Sequence, residues 1–140
     1  MRGLMIKPED EMSDAVCAGA VLFAKDLARV ARFYEGVLGM RRLHAAVGLV
    51  VLESPQMQLV IHGIPARIAA GIQISQPPER RSDTAIKLFF PVASLSEARA
   101  KAAALGGQLD AADKEFTARG FRACDGYDPE GNVLQLRERA

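Results

Sequence analysis

Small apolar residues fill positions 17–24, and beyond Asp26 the pattern changes, with Leu27, Val30, Phe33, Tyr34, Val37 and Leu38 recurring at helical spacing. A continuous apolar run giving way to that period predicts a strand leading into a helix. Asp26 can accept hydrogen bonds from the free amides of the first turn, and Gly39 can take the left-handed conformation that ends it, so the helix is expected near 26–39. Short runs follow at 41–46, 48–53 and 57–62, separated by Gly48 and by Ser54-Pro55, which predicts an antiparallel meander.

The second half opens the same way, with an apolar strand at 86–92 followed by Ser94, Leu95, Ser96 and Glu97. Ser94 can bond the amide of Glu97 while the Glu97 carboxylate returns the bond, a capping box, and the Ala-rich run stops at Gly106-Gly107, giving a helix near 94–106. Further short segments are expected at 108–109, 117–125 and 132–137, with Asp128-Pro129-Glu130-Gly131 as the last turn. A 68-residue offset places Asp26 on Ser94, Leu27 on Leu95, Val37 on Leu105 and Gly39 on Gly107. Two short β-rich units with one helix each cannot bury their sheet faces alone, so a paired arrangement is expected. Residues 64–83, with Pro65, Pro77, Pro78 and the charged run Glu79-Arg80-Arg81, form the connector between modules at about 17–63 and 84–138, with an ordered stretch expected at 68–74.

Strand parity puts Gly19, Val21 and Phe23 on one face and Ala20, Leu22 and Ala24 on the other; Lys87, Phe89 and Pro91 likewise oppose Leu88, Phe90 and Val92. Both sets are mostly apolar, so both faces are expected to be covered, one by helices and one by the facing half of a barrel. Lys87 is then the anomaly, because a charge on a buried face needs a partner, such as Glu53, or a ligand.

Composition narrows the function classes. Hydrophobic residues make up 49% and charged residues 25%, ordinary for a globular domain, and 140 residues suffice for one core. Eighteen basic against seventeen acidic residues leave a formal charge of +1, with no excess to hold a phosphate backbone, so no nucleic-acid partner is expected. The apolar runs fall short of the ~20 residues that cross a bilayer, and residues 1–14 carry charges throughout. A cytoplasmic protein with a loose arm over 1–16, no membrane partner and two reduced, buried thiols at Cys17 and Cys124 is expected.

Residues 21–40, VLFAKDLARVARFYEGVLGM, and residues 127–138, YDPEGNVLQLRE, resemble the opening strand and helix and the closing turn and strand of the vicinal oxygen chelate superfamily. That superfamily includes glyoxalase I, extradiol dioxygenases, fosfomycin resistance enzymes and metal-free bleomycin-binding proteins. The resemblance covers about residues 17–138 and implies an α+β fold of two βαβββ modules paired into an open barrel around a cavity, and a homodimer. Metal-dependent members place ligands on the first and last strand of each half. Here those positions fall on Gly19, on Val60 by aligning QLVIH with VLQLR, on Lys87 and on Gln135, with His62 two residues beyond Val60. Glycine and valine have no donor atom and an ammonium has no lone pair, so Gln135 and His62 are too few for a metal that needs about three protein ligands. No metal and no other cofactor are expected.

The candidate ligand-binding residues are therefore His62, Lys87, Gln135 and Phe89, and no catalytic group is assigned. Lys87 would anchor an anion and Gln135 would offer an amide from the cavity wall. Phe23, Phe89 and Phe121 could line the pocket or serve as plain core, whereas Asp125, Asp128 and Glu130 are assigned to turn structure and Arg29, Arg32, Arg41 and Arg42 to solvated surface. The leading expectation is a small-molecule-binding protein or cofactor-less enzyme for a polar or anionic organic ligand. The alternatives are a metal-dependent lyase or dioxygenase with an atypical ligand set, and a non-catalytic dimerisation module.

Overall fold

The computed structural model describes residues 16–140, so the expected arm over 1–16 lies outside the described residues apart from Val16. Strand β1 (Gly19–Ala24) leads through Asp26 into helix α1 (Leu27–Leu38). The Asp26 carboxylate accepts from the Arg29 amide at 3.1 Å, and Gly39, at φ 67°, closes the helix by donating its amide to the Glu35 carbonyl at 3.0 Å. Val30, Phe33, Tyr34 and Val37 bury the apolar stripe. Strands β2 (Arg41–Ala46), β3 (Leu49–Glu53) and β4 (Gln58–Gly63) complete a four-stranded sheet in the order β1-β4-β3-β2, in which β1 runs parallel to β4 and the other pairs are antiparallel.

The second half repeats this plan. Strand β5 (Leu88–Pro91) precedes helix α3 (Leu95–Ala104), then β6 (Gln108–Leu109), β7 (Phe116–Ala118), β8 (Phe121–Tyr127) and β9 (Val133–Arg139). The sheet order is β5-β9-β8-β6, with β7 also on β8, and β5 is parallel to β9. An α+β fold of two βαβββ units is therefore present, its outer strand in the second unit interrupted between β6 and β7. The segment expected as one strand over 117–125 is a hairpin instead. Arg119 and Gly120 both have positive φ, 27° and 86°, and such a two-residue turn matches the twist of the strands it joins.

Other differences are local. Ser94 accepts from the Glu97 amide at 3.1 Å as expected, but the carboxylate that returns a bond to the start of α3 is that of Glu138, 2.6 Å from the Leu95 amide. The left-handed stop of α3 falls on Gly106, at φ 93°, one position before the residue that aligns with Gly39. The connector forms one helical turn, α2 (Ala66–Ala69), overlapping only the start of the stretch expected there. Cys124 is buried, but Cys17, two positions ahead of β1, is exposed.

Helices α1 and α3 pack on their own sheets and on each other, so one continuous core joins the halves. The seam is polar as well as apolar. Tyr34 sets its ring 5.9 Å from Phe90 and donates its hydroxyl to Asp128 at 2.8 Å, while the Glu130 carboxylate accepts the Lys25 and Asp26 amides at 2.9 and 2.7 Å. The opposite side of the sheets is open. Val21 is 58%, Phe23 61% and Phe89 56% exposed, which corrects the expectation of two covered faces: the halves share their helical side, and neither folds over the other's strands.

Candidate functional site

Register decides what the open face displays. In the second sheet Phe89 stands beside Gln135 and Pro91 beside Arg137, while Asp125 lies opposite Gln135 and Ala123 opposite Arg137. Residues paired across strands project to the same side, so three strands bring Phe89, Asp125, Gln135 and Arg137 together.

Lys87, at the residue before β5, donates to Asp125 at 3.0 Å. The other Asp125 oxygen accepts from the Gln135 amide at 3.0 Å, and the Gln135 carbonyl accepts from Arg137 Nε at 2.7 Å. The guanidinium of Arg137 lies 3.5 Å from the Phe89 ring centre and 4.3 Å from that of Phe121. The result is a continuous polar chain, Lys87 to Asp125 to Gln135 to Arg137, whose Arg137 end is stacked on the Phe89 and Phe121 rings. Beside it a cavity of about 350 Å³ is lined by Arg80, Ser82, Thr84, Lys87, Asp125 and Val133.

Three of the four predicted residues, Lys87, Gln135 and Phe89, therefore meet. His62 does not join them: it lies on the open face of the first sheet, with Nδ1 3.0 Å from the Gly63 carbonyl and its ring 5.6 Å from Phe23. Two readings are corrected. The Lys87 side chain is 43% exposed and pairs with Asp125, not Glu53, because the face it occupies is open; Glu53 pairs with Arg41. Asp125, assigned to turn structure, lies within β8, and its carboxylate is the centre of the chain. Asp128 and Glu130 do serve the turn and seam.

Arg137 was missed, although the signal was present. Aligning QLVIH with VLQLR places His62 on Arg137, so the two are counterparts in the two halves, each two residues beyond a family ligand position. The perturbed ionisations lie elsewhere. Burial raises the Asp128 carboxyl above its usual range against the opposing bonds from Asn132, Glu130 and Tyr34, and burial, reinforced by Asp128, raises the Tyr34 hydroxyl well above its own. An apolar cleft of about 400 Å³, lined by Leu38, Met40, Pro55 and Phe90 among others, contains none of the four predicted residues.

The family's metal positions do not fit a metal here. Gly19 and Val60 supply no donor, Lys87 is held by Asp125, and both ends of the Gln135 amide are engaged. Among the described residues no group of three or more His, Cys, Asp or Glu side chains could hold a metal ion. No helix among them is long and apolar enough to cross a membrane.

The fold is shared with known structures. A glyoxalase/bleomycin resistance protein/dioxygenase family enzyme from Burkholderia phytofirmans PsJN aligns with a TM-score of 0.66 at 18% identity, over 90% of this chain and 100% of that one. An integron cassette protein from the mobile metagenome of V. cholerae aligns at 0.59 and 21% identity, over 90% and 96% of the two chains. The fosfomycin resistance protein FosX from Mesorhizobium loti gives 0.60 and 15% identity, over 91% and 93%. No curated protein matches the sequence. The model of the glyoxalase-like domain matches residues 15–137, nearly the whole chain, and with the two βαβββ halves described above it places this protein in the glyoxalase-like domain family of the vicinal oxygen chelate superfamily.

Proposed function

We propose that this protein binds a small polar or anionic organic molecule, without a metal, on the open face of its second sheet. The observation that carries this reading is the polar chain from Lys87 to Arg137 on a face where Phe89 is exposed. An aromatic shelf with a few convergent polar groups is the common composition of small-molecule sites. The donor set supports metal independence, since two of the four family positions have no ligand atom. One FosX structure, from Listeria monocytogenes, is of a complex with Mn(II) and a dihydroxypropylphosphonic acid; the present chain shares that fold at 14% identity.

We also propose a homodimer, in which a second copy covers part of the open side. Val21, Phe23 and Ile86, all more than half exposed, support it, as does the general use of symmetric pairing to cover apolar surface.

A thermal-shift screen of small acids, amides and polyols tests the binding reading, because a ligand of the folded state alone must raise the melting temperature. Hits are mapped by amide chemical-shift changes and repeated after chelation. Shifts at residues 87–89, 125 and 135–137 that survive chelation are expected. An empty screen, hits mapping to the helical side, or binding abolished by chelation would overturn the proposal.

A further inference from the structure

We infer that Arg137 is the group that selects the ligand of this site, and that what it selects is a carboxylate carried on an aromatic or other flat apolar body. The inference rests on the binding reading above and deepens it. Its basis is which donors of the polar chain are already spent. The Lys87 ammonium faces the Asp125 carboxylate at 3.0 Å, so its charge is compensated locally. The Gln135 amide donates to Asp125 and accepts from Arg137. Arg137 uses only Nε in that bond, and its two terminal nitrogens have no hydrogen-bond or ionic partner among the described residues.

That guanidinium is also held in place. It stacks at 3.5 Å over Phe89 and lies 4.3 Å from Phe121, and the bond from Nε to Gln135 fixes its rotation within the plane. A planar fork with both terminal nitrogens unspent matches the two oxygens of a carboxylate, and little side-chain freedom is lost when it engages them. Arg119, whose guanidinium lies 5.1 Å from the same Phe121 ring, is a second cation close by, so the preference for a carboxylate rests on the match of the planar fork to two oxygens in one plane and not on a count of charges. Phe89, 56% exposed directly beneath the fork, and the neighbouring Phe116, 46% exposed, offer apolar surface for the body of the ligand.

The test uses benzoate, benzamide and phenylphosphonate, titrated by amide chemical-shift perturbation into wild type, Arg137→Lys and Arg137→Met. Circular dichroism and melting temperature verify that each variant is folded, and Arg137→Lys keeps the charge should the Met variant not fold. Benzoate should bind wild type about tenfold more tightly than either other probe, as expected for a bidentate charge-assisted pair. Arg137→Lys should lose most of that advantage although its charge is retained, and Arg137→Met should lose all of it. Equal affinity for benzoate and benzamide in wild type, tighter phenylphosphonate binding, or unchanged discrimination in Arg137→Lys overturns the inference. If the screen finds neutral ligands on this face while benzoate does not bind, the binding reading stands and the carboxylate assignment fails alone.

Discussion

Half-exposed ion pairs such as Lys87–Asp125 contribute little to folding, about 0–1 kcal/mol, because water screens them and two side chains must be ordered to make them. Its consequence is electrostatic. Replacing Asp125 with Asn should leave stability nearly unchanged while exposing the Lys87 charge, so benzoate should bind more tightly and with a steeper salt dependence; weaker binding in low salt would contradict this. Asp128 is the opposite case, fully buried and bonded to Tyr34, Asn132 and the Glu130 amide. Its carboxyl is raised above the usual range, so the folded chain holds that proton more tightly than the unfolded chain does. This contribution is fully present below the ordinary carboxylate range and is lost as pH rises through the raised value. Urea unfolding from about pH 3.5 to 7 should therefore show wild type losing stability relative to Asp128→Asn as pH increases, and a gain across that window would refute the assignment.

Caps and turns set where each element begins and ends. Ser94→Ala removes the bond to the Glu97 amide at the start of α3 and should cost about 1 kcal/mol in denaturant unfolding. Glu130→Ala should cost more, about 2 kcal/mol, because one carboxylate satisfies two amides ahead of α1 from a turn 104 residues away in sequence. A loss below that of Ser94→Ala would show that water replaces it there. Gly131, at φ 83°, combines a left-handed backbone with close approach of the connector, whose Arg81 amide donates to its carbonyl at 2.9 Å. Gly131→Ala should thus destabilise by more than the roughly 1 kcal/mol of the backbone preference alone, since an added methyl meets the Glu79 carbonyl.

At the scale of the molecule, the open side would serve both the proposed dimer and the proposed ligand. Sedimentation should show a dimer, and Phe23→Asp, which charges the exposed apolar surface of β1 while leaving the core untouched, should shift it toward monomer; a monomer at all concentrations in wild type would exclude the dimer. The sequence alone determined the two helices and the repeat. Asp26, Gly39 and Ser94 act on amides and carbonyls within a turn of themselves, and alternation within a strand fixes which residues share a side, so these features are legible without a fold. Three of the four candidate residues, Lys87, Phe89 and Gln135, come together on one face because they lie at fixed positions on or just before the strands of the second half. Tertiary structure decided the rest. The pairing of β8 and β9 placed Asp125 against Gln135, β5 laid Phe89 under Arg137, and His62 went to the other sheet. Such neighbours come from separate strands, and no local pattern records which strand edges meet, or that the halves join by their helices and leave the strand face open.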